Sequence, residues 1–456
     1  QENTDGTVTW TFKLRQGAKS CAGNEFTADD VKWSFDRAFG LQGLTYFLAI
    51  QINLTKPENV VVVDPYTVQF KLDAPSPLVM HQMTLGYHAM FDSKVIKEHV
   101  TDDDPWAKNW LGNNGAGFGA YCLKEFTAGQ QVVLEANPNY YGGVPNITKV
   151  IYKAVPDPAN RASLLANGDV DIAEGLSPEQ LTAAQTQDGV AVAEDEGNTL
   201  IAAVLQYKNP ALANPLVRQA LNYATPSAQI LTDAFAGFGS PAGSILPPRY
   251  ETYTDEFWPY TYDEAKAKDL LAQSGVALPL KLKVTYSPFD PTFERLATIL
   301  KSAWAKVGVE LTLESVTNAK FAEVTANKSF DILLPPALSS HNADPIYTME
   351  IFAGGARACC NWANWEDKDA FAALDKAAVE LDPAARAQDS LDVQKAAGAN
   401  PPWVVMGVRK WTMAHRANVT GFIWNPQESL WFHERTKVAL LAIDEAHCIS
   451  EWGHNF

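Results

Sequence analysis

Residues 280–316 constrain the fold of this chain more than any other stretch. Leu282 and Val284 begin a strand. Phe293, Leu296, Leu300, Ala303 and Val307 then recur at helical spacing, and Gly308 stands where a C′ glycine ends a helix. Val309, Leu311 and Leu313 alternate with Glu310, Thr312 and Glu314 in a second strand. A strand–helix–strand crossover implies parallel strands under a helix, with a crevice at their carboxyl ends. The fold class is therefore α/β. At ~100–200 residues per domain the length allows roughly two to four domains.

The other elements are read in the same way. Val8, Trp10, Phe12 and Leu14 alternate as a strand, and residues 59–72 read as a hairpin turning at Asp64-Pro65. Thr27 caps a helix with Asp29 and Asp30 in its first turn and Val31, Phe35 and Ala38 on its buried stripe. The spacing predicts strand 149–155, a helix carrying Leu164 and Leu165, helices over 177–185, 215–235, 367–380 and 383–397, and a strand from Trp403 to Val408. Segment 237–260 holds four prolines and three glycines, the composition of a linker.

The chain carries 36 Lys+Arg against 53 Asp+Glu, a net charge of −17, which argues against a nucleic-acid partner held by a general basic field. No apolar run reaches the ~18–20 residues of a membrane helix. There is no G-x-S-x-G elbow, no H-E-x-x-H and no Walker A lysine, and the glycines at 112, 115, 117 and 119 lack the context of a phosphate loop. No catalytic residue, metal site or cofactor is implied. Cys21, Cys122, Cys359, Cys360 and Cys448 form no C-x-x-C pair. Free or singly paired thiols are expected, without a bond between the adjacent Cys359 and Cys360.

The order of several motifs resembles the family 5 solute-binding proteins of ABC importers, the peptide/nickel/oligosaccharide-binding group. The motifs are Trp10-Thr11-Phe12-Lys13-Leu14-Arg15 with Phe26-Thr27-Ala28-Asp29-Asp30-Val31, and Gly119-Ala120-Tyr121 with Asn137-Pro138-Asn139-Tyr140-Tyr141. Gly168-Asp169-Val170-Asp171-Ile172, Val217-Arg218-Gln219-Ala220-Leu221 and Leu381-Asp382-Pro383 through Arg386 follow in the family's order, over roughly residues 8–433.

The resemblance implies a two-lobed periplasmic-binding-protein fold with an extra N-terminal domain. The expected division is an extra strand-rich domain over 1–147, a first lobe over 148–245, a second lobe over 246–417 and a return to the first lobe over 418–435. It further implies a non-catalytic, monomeric subunit, periplasmic or anchored at the cell surface. Such a subunit captures an oligopeptide, opine or oligosaccharide between its lobes and delivers it to the importer's permease. The chain starts at Gln1 without a signal peptide, so an earlier segment is expected to be missing. The competing readings are a hydrolase of peptide-like substrates and a non-functional chimera with a helicase fragment.

The expected ligand wall is Tyr286, His341, Asn342, Asp344, Asn361, Trp362 and Trp365 in the second lobe, with Gln206 and Tyr207 facing it from the first. Indole stacking and amide hydrogen bonds would dominate there. Peptide-binding members place an Asp in a W-x-x-D sequence before an Asp-Pro. Counted back from Asp344-Pro345, that position holds His341, which supplies no anion for an ammonium. Residues 438–456, with Asp444-Glu445-Ala446-His447, resemble the DEAH-box region of RecQ-family DNA helicases. A foreign tail over 436–456 that adds no contact to either lobe is expected.

Overall fold

The computed structural model describes residues 6–354, 358–428, 430, 432 and 441–444. Near the N-terminus three antiparallel strands, β1 (Val8–Lys13), β2 (Val60–Asp64) and β3 (Thr67–Leu72), pair in the order β1-β3-β2. The helix Ala28–Leu41 packs on them, its first turn closed by the Thr27 N–H donating to Asp30 Oδ2 (2.8 Å). Further short helices follow up to Leu111.

The last strands of the expected 1–147 unit pair into the main sheet. The hairpin of β4 (Tyr121–Thr127) and β5 (Gln131–Ala136) pairs with β6 (Lys149–Lys153) and so joins the main sheet of the first lobe. A disulfide between Cys21 and Cys122, with Cα atoms 5.7 Å apart, ties the extra domain to β4. Cys359 and Cys360 are also bonded, against expectation, across adjacent Cα atoms 3.8 Å apart. The expectation for Cys448 lies outside the described residues.

The next strands are β7 (Ile172–Ala173), the 16-residue β8 (Val190–Leu205), the short β9 (Gly239–Ser240), and the crossover pair β10 (Leu280–Tyr286) and β11 (Val309–Ser315). After them come β12 (Ile332–Leu333), the 14-residue β13 (Trp403–Arg416) and β14 (Leu441–Asp444). The sheet order is β11-β10-β12-β8-β13-β7-β14-β6-β5-β4, with β9 beside β13. The crossover is as expected: β10 and β11 are parallel from Leu280↔Val309 to Tyr286↔Ser315, joined over the helix Pro291–Ala305.

Among the described residues, only β8 and β13 run through both lobes. Their antiparallel pairing slips between Arg409 and Trp411, where Glu196, Gly197 and Asn198 bulge out of register. A Cβ at Gly197 would stand 2.2 Å from the Arg409 carbonyl oxygen, so only glycine fits this close approach. On one side of the slip, Trp411 and Met413 pack with Ile147, Val150 and Ile172 in the first lobe. On the other, Ile201, Ala203, Val404 and Met406 pack with Leu282, Leu296 and Trp304.

Along β8 and β13 the packing thus changes from one core to the other at residues 196–198 and 410. Helices Pro215–Tyr223 and Ser227–Asp233, broken at Pro226 rather than continuous over 215–235, contribute Val217, Leu221 and Ile230 to the second-lobe core. Burial decides this: the apolar face of those helices has its complement in the helices over β10 and β11.

Two further findings bear on the site. Leu78, Val79 and Leu85 of the extra domain lie in one hydrophobic cluster with Leu338, Ile346 and Tyr347 of the second lobe. Strand β14 pairs parallel with β6, Leu441↔Val150 to Asp444↔Lys153, and with β7. The expectation that 436–456 would contribute no lobe contact is corrected there: a four-residue run of the right length fills an open ladder position, and backbone pairing does not ask where a strand came from. Residues 436–440 and 445–456 of that expected tail lie outside the described residues. Among the described residues, no helix is long and apolar enough to cross a membrane.

Candidate binding site at the crossing of the lobes

Three parts of the chain converge on the slip in β8. The second lobe brings the turn 338–344. It runs back along β8, with the Leu200 N–H donating to Leu338 O (3.2 Å) and Asn198 Nδ2 to Ser340 O (2.9 Å). Short polar side chains shape this turn, as their preference for backbone partners dictates. Ser340 Oγ accepts from the Asn342 N–H (3.1 Å), and Asn342 Oδ1 accepts from the Asp344 N–H (2.9 Å). Asp344 caps the helix Pro345–Ala353 by accepting from the Tyr347 N–H (2.9 Å). Both carboxylate oxygens of the buried Asp344 also pair with Arg386 (2.5 and 2.8 Å). Asp344 thus anchors the turn. Tyr250 Oη donates to Asn342 O (3.0 Å) and accepts from Thr348 Oγ1 (2.9 Å); burial raises its pKa.

The extra domain brings Tyr87, whose ring lies edge-on to the exposed His341 ring at 5.9 Å. The segment after β13 brings Trp424, Pro426 and Gln427. Gln427 accepts from the Gly86 N–H (3.2 Å) and donates to Thr84 O (3.3 Å), while Pro426 O accepts from Asn198 Nδ2 (3.2 Å). The Arg249 guanidinium sits 3.7 Å over the Trp424 ring and donates to Asp195 Oδ1 (2.9 Å) and Glu196 O (2.6 Å). The stack joins a second-lobe loop to the first lobe, whose core Trp424 packs against. Three buried polar atoms here have no hydrogen-bond partner: Asn198 Oδ1, Asn342 Nδ2 and Trp424 Nε1.

The nine expected wall residues do not gather in one place. His341, Asn342 and Asp344 stand at the crossing. Gln206 and Tyr207 follow the other end of β8, eight residues from Asn198 and so about 26 Å away at ~3.3 Å per residue. They belong to the second lobe, not the first, because β8 has already crossed.

At that distal end Gln206 Nε2 donates to Lys328 O and Trp362 O (both 3.1 Å), and its Oε1 accepts from Asn364 Nδ2 (2.6 Å). Asn361 accepts from the Trp365 N–H and donates to Trp365 O (both 2.9 Å). Trp365 is 1% exposed, with Nε1 donating to Asn400 O (3.0 Å) and its ring edge-on to Phe371. Trp362 lies edge-on to Phe352 at 5.7 Å. Tyr207 carries the Arg218 guanidinium 3.8 Å over its ring, and Tyr207 Oη donates to Asn400 Oδ1 (3.2 Å). Beside this cluster opens a depression of about 700 Å3 lined by Tyr207, Lys208, Arg218, Asn364, Glu366 and Asn400. Tyr286 is buried in the helix-covered face of the sheet with Phe293.

Sequence reasoning missed Tyr87, Asn198, Arg249, Tyr250, Trp424 and Gln427. The one local signal was Gly197 inside a strand, which marks a bulge or close approach. The remaining residues come from segments far apart in sequence, and only the closed topology joins them. Among the described residues no cluster of His, Cys, Asp and Glu could hold a metal ion.

Comparison with known proteins agrees with this architecture. The chain is 28% identical over 436 residues to the probable D,D-dipeptide-binding periplasmic protein DdpA of Escherichia coli, covering 95% of this chain and 82% of that protein. It is also 28% identical over 445 residues to di/tripeptide-binding protein 4 of Pseudomonas aeruginosa, covering 93% and 82%. The fold matches the crystal structure of the ABC transporter substrate-binding protein CtaP of Listeria monocytogenes with a TM-score of 0.81 at 24% identity, covering 92% of this chain and 85% of that one. Residues 1–358 match the family described as bacterial extracellular solute-binding proteins, family 5, middle. With its two lobes strung on β8 and β13 and its candidate site at their crossing, the chain belongs to the bacterial extracellular solute-binding proteins of family 5.

Proposed function

We propose that the chain captures a small peptide at the crossing of its lobes and hands it to the permease of an ABC importer, acting as a monomer outside the cytoplasm and without bond making or breaking. One observation carries the reading. The extra domain, the second lobe and the segment after β13 all converge on the slip in β8 and β13, where closure would trap a solute. The class of solute follows the names of the relatives, a probable D,D-dipeptide-binding protein and a di/tripeptide-binding protein. His341 and Asn342 would face the solute, with Tyr87 and Arg249 as further walls, and Asp344 would hold their turn. The helicase-like stretch has no role in this reading.

The test is a thermal-shift and calorimetry panel of di- and tripeptides, opines and oligosaccharides. A solute at 100 times its dissociation constant adds about 2.7 kcal/mol to stability. Saturable binding of a peptide without turnover is the expected outcome. Hydrolysis of the bound peptide above a denatured control would establish the hydrolase reading instead.

The distal depression favours a second reading, in which the solute seats on Tyr207, Asn364 and Asn400. Tyr207→Ala and His341→Ala separate the two: only the variant at the true site should weaken binding.

A further inference from the structure

Two amide side chains at the crossing are buried with one polar atom each left unpaired. Asn198 is 1% exposed and Asn342 2%. Their other halves set how each amide points. Asn198 Nδ2 donates to Ser340 O (2.9 Å) and Pro426 O (3.2 Å), so Oδ1 is the atom without a partner. Asn342 Oδ1 accepts from the Asp344 N–H (2.9 Å), so Nδ2 is the atom without one. One orphan is an acceptor and the other a donor. One small turn links them: Asn198 of β8 holds the carbonyl of Ser340, whose hydroxyl accepts the Asn342 N–H (3.1 Å).

Leaving a buried amide atom unpaired is unfavourable enough that folded proteins rarely tolerate it, and each case needs an explanation. The buried Gln206 at the distal end has both side-chain polar atoms bonded, and the buried Asn222 of the second lobe leaves over an acceptor alone, Oδ1. At the crossing an acceptor and a donor are held in fixed orientation and unserved, which is the complement of one peptide group, with its N–H and its C=O.

We propose that Asn198 and Asn342 read one peptide group of the captured solute, Asn198 Oδ1 accepting its N–H and Asn342 Nδ2 donating to its carbonyl oxygen. The assignment rests on the reading of the chain as a peptide-capturing protein. Both atoms are shut off from solvent here, so a solute reaches them with the lobes parted and the pair closes on it. An ester in place of that amide offers no N–H and sets an oxygen lone pair against Asn198 Oδ1.

The test is calorimetry of the full chain with L- and D-alanyl di- and tripeptides, and with analogues in which each amide in turn becomes an ester. Substitution at one position should weaken binding about tenfold or more, the scale of one unpaired buried group. Asn342→Asp keeps the acceptor for the Asp344 N–H and loses the donor, and should weaken the parent peptide by a similar factor. The ester series uses the unaltered protein and decides the matter even if that variant folds poorly. If peptides bind but every ester analogue binds as tightly as its parent, the two atoms are served by an internal water only and the pair's assignment is overturned. If no peptide binds while an opine or oligosaccharide does, the peptide reading falls, and the assignment falls with it.

Discussion

At the distal end of the second lobe, Gln206 and Asn361 have their side-chain polar atoms paired, whereas at the crossing Asn198 and Asn342 each keep one unpaired. The two regions draw on the same residue types, amides beside large aromatic rings. At the distal end the amides tie one turn to the next and the Trp365 ring is enclosed. At the crossing they join pieces of both lobes and the extra domain, with His341 and Tyr87 still reaching solvent. Residue type alone does not separate a wall from a support. The difference is whether hydrogen-bonding capacity is exhausted within the chain.

The largest test of this contrast removes a support from the crossing. Arg386→Ala leaves the buried Asp344 carboxylate without its cation and should lower stability by about 3–5 kcal/mol. Urea unfolding measures it, and a loss under 1 kcal/mol would mean that the turn 338–344 does not depend on this pair. At the distal end, Trp365→Ala should remove about 3–5 kcal/mol of stability as a core truncation. Weaker solute binding at unchanged stability would instead favour the distal depression as the site.

Acid sharpens the comparison on the side of the extra domain. Burial holds His88, next to Tyr87, neutral down to about 4 from an ordinary value of 6.5, and its Nδ1 is hydrogen-bonded to Gln82 O (2.9 Å). The unfolded chain therefore takes up this proton first. Stability present above pH 6.5 should be lost as pH falls toward 4, by about 3 kcal/mol at ~1.36 kcal/mol per unit. His88→Gln, measured across the same range, should flatten that slope; an unchanged slope would assign the acid sensitivity to other groups. The smallest effect is expected from Arg249→Gln. It removes the stack on Trp424 and should destabilise the junction by about 0.5–2 kcal/mol. Trp424 fluorescence should report a more exposed indole, and an unaltered spectrum would show that the stack does not seat the ring.

Much of the local structure is legible in the residues. The alternation of Val8, Trp10 and Phe12, the hairpin at Asp64-Pro65 and the stripe from Phe293 to Val307 all became the elements they predict. The site was legible only in part. His341 and Asn342 stand at the crossing, while Gln206 and Tyr207 follow the far end of β8 with Trp362 beside them. Aromatic and amide side chains suit ligand walls and turn supports equally well, and their spacing does not say which. The Cys359–Cys360 bond and the insertion of Leu441–Asp444 beside β6 likewise escape a reading of local pattern.

By itself the sequence determined the period of most segments, the capped start of helix Ala28–Leu41 and the parallel crossover of 280–316. Those properties depend on neighbours within a few positions, through backbone sterics, capping and the alternation of apolar side chains. Only the tertiary structure decided where one lobe gives way to the other and which polar groups were left over. Strand β8 is half-exposed before Gly197 and buried throughout after it, but its residues do not say what covers either part. Its change of lobe is set by which distant helices cover it, and an unpaired amide exists only once every other partner has been placed.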